Sequence, residues 1–245
     1  MFPSIKNINF FKFSVLVLNP GTYVARQLLK KKLNSEQLFF QDFLNNKKHE
    51  LFHMLFPDQC CLCNPQEGAH HSGKGLSPLK VQWEQLFTEN HQKCNRLQKK
   101  CCCMFNVNPS IHEDCLDITL TVWLLINMFP LSKKEKRNLE ELRDQRNFYA
   151  HIGAAEIEKK VYDEKQRKLI WCIEKIAKSF DSQIKKKISE DIQEIINYSP
   201  LTSVCHQIIV ELCCGDRIVK PEEYEEIAYK VLQKLEEFQK VQRYL

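Results

Sequence analysis

Glycine is scarce, with 6 in 245 residues, and there are only 9 prolines. So little of either excludes a collagen-like chain and argues against a turn-rich β-sandwich. Long hydrophobic runs are missing too. The longest nearly charge-free stretch, Leu116 to Pro130, contains Asp117 and falls short of the roughly 20 apolar residues a membrane-spanning helix needs. It reads as a buried core helix, and no membrane association is expected. No segment shows the alternation of a half-buried strand. What is present is ordinary for a folded protein: 43% hydrophobic and 27% charged residues, which excludes wholesale disorder. The length suits one large or two small domains. The expected fold class is all-α.

The net charge of +5 is unevenly placed. Residues 1–104 carry 14 Lys/Arg against 7 Asp/Glu, whereas 105–245 carry 22 against 24. A basic first half serves solubility or faces an anionic partner such as nucleic acid. Cysteine is plentiful, at 12 residues, eight of them between Cys60 and Cys115. A secreted disulfide scaffold would be shorter and would carry a clear signal peptide. The stretch Phe10 to Leu18 is too short for one and is interrupted by Lys12. Reduced thiols in a cytoplasmic protein are therefore expected.

Along the chain, Phe10–Leu18 and Tyr23–Leu33 read as a helical hairpin about the Asn19-Pro20-Gly21 turn. Leu38, Phe39, Phe43, Leu51, Phe52 and Leu55 mark a third helix that stops at Pro57. A Cys/His-rich loop over 58–78 precedes a short helix centred on Trp83, and a second Cys/Lys-rich loop spans about 90–114. The apolar helix Leu116–Phe129 follows. Ser132 and Glu135 then form a capping box for a helix carrying Leu139, Leu142, Arg146 and Tyr149, with Gly153 as its stop signal. Another helix shows Ile157, Val161, Leu169, Ile173, Ile176 and Phe180, and a further one Ile184 to Ile195. Pro221 opens a last amphipathic helix, a candidate surface for a protein partner. The expected organisation is 1–57 as helical hairpin plus third helix, 58–115 as loop module, 116–180 as core helices and 181–245 as a C-terminal helical extension.

Cys60-x-x-Cys63 is a compact chelating corner, because two thiolates at that spacing can share one tetrahedral zinc. His70 or His71 is near, and a second corner is offered by His91-x-x-Cys94, Cys101 or Cys103. The expected ligand set for a structural zinc is Cys60, Cys63, His71 and Cys103. Nothing matches a zinc-hydrolase motif, the eight-ligand RING spacing or a His/Cys/Cys deaminase pattern. Cys172, Cys205, Cys213 and Cys214 fall on apolar stripes and read as small buried hydrophobes.

After the apolar helix, short turn and amphipathic helix comes Arg146-Asn147-x-x-x-His151. This resembles the HEPN family of helical bundles, which carry an Arg-x4-6-His motif with a polar residue after the arginine. It is most similar to the HEPN type of the DAZ-interacting zinc-finger ubiquitin ligase and its invertebrate relatives. Those relatives likewise have an N-terminal hairpin, a Cys/His loop region and a start like Leu116-Asp117-Ile118-Thr119-Leu120. The resemblance covers roughly residues 5–180. It implies a HEPN-like bundle, a homodimer with a composite site, and RNA as partner, either cut or only bound.

For cutting, His151 would be general base or acid, Arg146 would hold phosphate charge and Asn147 would orient them. No catalytic metal is expected, because the ribose 2′-hydroxyl is an internal nucleophile. Positions five apart lie about 140° apart around a straight helix, so Arg146 and His151 share a face only if the helix ends near Ala150 or Arg146 reaches round. Phe148 and Tyr149 read as core or interface residues.

Overall fold

The computed structural model describes residues 4–56, 60–63, 80–90 and 101–197. The expected helix after Pro221, together with His70, His71, His91, Cys94 and the last three cysteines, lies outside the described residues. In chain order the elements are α1 (Ile5–Leu16), a π-helical turn (Val17–Gly21), α2 (Thr22–Ser35), α3 (Phe40–Leu55), α4 (Lys80–Leu86), β1 (Phe87–Glu89), β2 (Phe105–Val107), α5 (Ile118–Met128), α6 (Lys133–Ala150), α7 (Lys159–Ala177) and α8 (Ser182–Asn197). The fold is predominantly helical, as expected. No helix among the described residues is long and apolar enough to cross a membrane.

The anticipated hairpin turn at Asn19-Pro20-Gly21 is absent. Leu16, Val17 and Thr22 all keep right-handed helical backbone, so α1 continues through the π-turn into α2. A π-turn inserts one residue into the helix and accommodates both the missing N–H of Pro20 and its ring, without reversing the chain. Gly21 has no positive φ.

Contacts divide the chain into two compact units, one of residues 1–24 with 140–245 and one of residues 25–139. The boundaries fall inside α2 and α6, so the grouping cuts across sequence order.

In the first unit α1 packs on α7 and α8. Ser4 and Asn7 cap α1 reciprocally, at 3.0 and 3.3 Å. The buried Asn9 amide donates to the Ile157 carbonyl at 3.1 Å, and Lys12 Nζ donates to the Ile196 carbonyl at 2.6 Å. Phe10 meets Tyr149 and Phe13 meets Phe148 edge-on, with ring centroids 5.7 and 5.6 Å apart. Ile157, Leu169, Ile173, Ile176 and Phe180 are buried as the periodicity predicts, but Val161 is exposed. Cys172 is fully buried, and burial pushes its thiol up to about 12, so it acts as a core hydrophobe.

In the second unit α3 buries Phe40, Phe43, Leu44, Leu51 and Phe52. Phe39, predicted on that face, is 81% exposed because it is the extended residue ahead of the helix. Asp117 caps α5, its carboxylate accepting from the Leu120 N–H at 2.7 Å. Side chains are buried all around α5, and Arg26 Nε donates to the Leu116 carbonyl just before it, at 2.7 Å.

The structure adds a strand pair that the sequence does not announce: β1 and β2 run antiparallel, with Phe87 opposite Val107 and Glu89 opposite Phe105. Three residues are too few to display an alternation. Trp83 of α4 stacks on Phe87 at 4.2 Å and meets Phe105 edge-on at 5.3 Å and Phe52 at 5.8 Å. Lys48 Nζ donates to the Phe105 carbonyl at 2.8 Å. These contacts hold the C-terminal half of α3 against the turn that precedes β2.

The capping box of α6 forms as expected. The Ser132 N–H donates to Glu135 at 2.8 Å and the Glu135 N–H to the Ser132 hydroxyl at 3.2 Å. Leu139 and Leu142 are fully buried. The helix ends at Ala150, but Gly153 is not a left-handed cap, since no described glycine has positive φ. Instead the final turn tightens, with the His151 N–H donating to the Asn147 and Phe148 carbonyls.

Candidate metal centre and the Arg146 to His151 segment

His49 and His53 are one helical turn apart on α3, so both side chains leave the same face. Five residues past the helix end, Cys60-x-x-Cys63 folds into a turn closed by the Cys63 N–H donating to the Cys60 carbonyl at 3.1 Å. Together the four side chains form one group, each ligand atom within 4.8 Å of the others. His53 Nε2 lies 3.1 Å from His49 Nε2 and 3.2 Å from Cys63 Sγ; His49 Nε2 lies 3.6 Å and Cys60 Sγ 3.7 Å from Cys63 Sγ. With Zn–S near 2.3 Å and Zn–N near 2.05 Å, the edges of a tetrahedral zinc site are about 3.8 Å for S–S, 3.3 Å for N–N and 3.6 Å for mixed pairs. Four of the six edges are thus already close to coordination geometry.

The outer contacts suit a metal as well. His53 Nδ1 lies 3.1 Å from the Phe56 carbonyl. A carbonyl only accepts, so Nδ1 carries the proton and Nε2 presents its lone pair to the group. The Cys60 N–H donates to Cys63 Sγ at 3.1 Å, a contact that stabilises a thiolate. His53, Cys60 and Cys63 are buried, which screens the site from water. Burial pushes the Cys63 thiol up, as do the neighbouring thiols of Cys60 and Cys101. In this pocket a bound cation would supply the opposite charge that lets the thiolates form.

A second set of thiols adjoins this one. Cys101 Sγ lies 3.1 Å from Cys61 Sγ and 3.2 Å from Cys103 Sγ, and the Cys61 N–H donates to Cys101 Sγ at 3.4 Å. Cys102 Sγ lies 3.4 Å from Cys60 Sγ. Burial alone would raise Cys101, but hydrogen bonds from the Cys61 and Cys103 backbones and thiols outweigh it and bring it down to about 6. Burial, with the Cys60 thiol alongside, drives Cys102 upward. All eight described cysteines are free thiols.

Of the ligands expected from the sequence, Cys60 and Cys63 share a group, and Cys103 sits in the neighbouring thiol set rather than with them. His71 lies outside the described residues. His49 and His53 were not anticipated, since histidines inside an amphipathic helix are unremarkable one at a time. The signal was available as His49-x-x-x-His53 followed closely by Cys60-x-x-Cys63.

Arg146 and Asn147 lie in the last turn of α6, both half-buried, and His151 is exposed just beyond it. No side-chain hydrogen bond joins Arg146 to His151, and among the described residues none of the three side chains takes part in a hydrogen bond or ion pair. Their neighbours are engaged: Gln145 donates to Glu141 at 2.5 Å and Arg143 pairs with Asp144 at 3.7 Å. No family model, curated protein or solved structure matches the chain.

Proposed function

We propose that this chain is a HEPN-type helical module acting on RNA: a metal-independent endoribonuclease that cuts single-stranded RNA and leaves 2′,3′-cyclic phosphate ends. One observation carries the reading. Helix α6 ends at Ala150 with the His151 N–H still bonded to the Asn147 carbonyl, so Arg146, Asn147 and His151 gather at its C-terminal end, and among the described residues none of the three side chains has a hydrogen bond or ion pair. In the reaction His151 takes the 2′-hydroxyl proton or returns one to the leaving 5′-oxygen, and Arg146 holds the phosphate oxygens with its planar fork. Asn147 orients them. A homodimer brings two such segments together.

The test is cleavage of a labelled single-stranded RNA by the full chain in excess EDTA, beside folded His151→Ala and Arg146→Ala variants. Cutting by the unaltered chain alone, with cyclic phosphate ends, is the expected result. Equal activity in the variants overturns the assignment.

A second reading has its own support. Among the described residues no carboxylate or carbonyl orients the His151 ring, as a general base ordinarily requires. A non-catalytic HEPN module that binds RNA or a protein partner predicts no cleavage in any form, and weaker RNA binding by the Arg146 variant.

The metal of the His49, His53, Cys60 and Cys63 group is assigned as structural zinc. Two imidazole nitrogens and two thiolates in tetrahedral array suit zinc, and four protein ligands leave no open position for catalysis. The ion would pin the Cys60–Cys63 turn to α3. Less than about half an equivalent of zinc in the purified chain would sink this assignment.

A further inference from the structure

The cysteines next to the first group have no role in it. Cys61, Cys101 and Cys103 bring their sulfurs within 4.8 Å of one another. Two of these separations are 3.1 and 3.2 Å. Burial does not explain them as core residues, because Cys61 and Cys103 are only half-buried. The backbone is arranged as at a metal turn: Met104 N–H donates to the Cys101 carbonyl at 3.0 Å, and Cys61 N–H points at Cys101 Sγ. Cys102, from the same turn, groups instead with Cys60 and Cys101, the three sulfurs lying within 4.8 Å of one another.

We propose that Cys61, Cys101 and Cys103 hold a second thiophilic divalent metal ion beside the first, so that this corner binds two ions. Seven ligands are present for the two ions: two histidines and two cysteines in one group, three cysteines in the other. Cys102 adjoins both groups, its sulfur 3.4 Å from that of Cys60. Metal binding consumes no redox equivalents; each thiol that ligates gives up its proton to solvent. The proposal takes the class of ion from the zinc assignment above but is tested separately from it.

The experiment is zinc content per chain of the full-length protein purified from zinc-supplemented cells, measured for the unaltered chain, Cys61→Ser/Cys103→Ser and His49→Asn/Cys63→Ser. Two equivalents in the first and one in each variant is the expected result. One equivalent that survives Cys61→Ser/Cys103→Ser but not His49→Asn/Cys63→Ser overturns the second ion and leaves the first. The converse pattern supports the second ion and overturns the first.

Should a variant fail to fold, alkylation of the unaltered chain mapped by mass spectrometry decides. Cys61 and Cys103 should be protected in the zinc-loaded chain and become reactive after chelation, while Cys115 reacts in both. Cys61 and Cys103 reacting equally in both states, or joined in disulfides, overturns the proposal.

Discussion

At the scale of single residues, the clearest assignment is His53. Its Nδ1 is held by the Phe56 carbonyl and its Nε2 faces Cys63, so His53→Ala removes a ligand together with the contact that orients it. Loss of about one zinc per chain and a lower melting temperature are expected, measured by metal analysis and a thermal scan. A core residue remote from the ligands behaves differently. Leu124 is fully buried in α5, and Leu124→Ala should cost about 2–5 kcal/mol in urea unfolding with zinc content unchanged. Half of the metal group was legible in the sequence. Cys60 and Cys63 announce themselves by spacing, but His49 and His53 read as ordinary positions of an amphipathic helix until their i,i+4 spacing is set beside the Cys60-x-x-Cys63 that closely follows.

At the scale of elements, a local cap signal proved reliable where a local turn signal did not. Ser132 and Glu135 predict the start of α6 because the cap is satisfied within three residues. Asn-Pro-Gly reads as a turn for equally local reasons, yet the chain keeps its helical path there. Loss of the Ser132 cap in Ser132→Ala should cost about 1 kcal/mol, seen in the urea midpoint.

Glu135 is also paired with Lys32 at 2.8 Å. Burial would raise its carboxyl, but Lys32 and the Ser132 contacts prevail and lower it to about 2 from 4.5. A folded value below the unfolded one means the contribution is fully present above about pH 4.5 and is lost as pH falls toward 2. Acid titration of stability should therefore flatten over that window in Glu135→Gln. The side chain is about a third exposed, so solvent screening keeps the effect modest.

At the scale of the whole molecule, the helical class was readable from little glycine and steady helical periodicity. The division into units was not, because residues 1–24 join residues beyond 140 through contacts that no local pattern encodes. A strong chelator should lower the melting temperature of the full chain, and returning zinc should restore it. Sedimentation of the purified chain should give twice the 29.0 kDa chain mass if the composite RNA site forms.

One consequence concerns how such a chain is divided. Both unit boundaries fall inside helices, so there is no linker at which to excise either unit. Cutting between Leu139 and Glu140 would leave seven residues of α6 on one fragment, below the roughly 12–15 an isolated helix needs to persist in water. Each fragment would end in a frayed stub, so recombination or truncation should preserve this protein only when whole helices travel together.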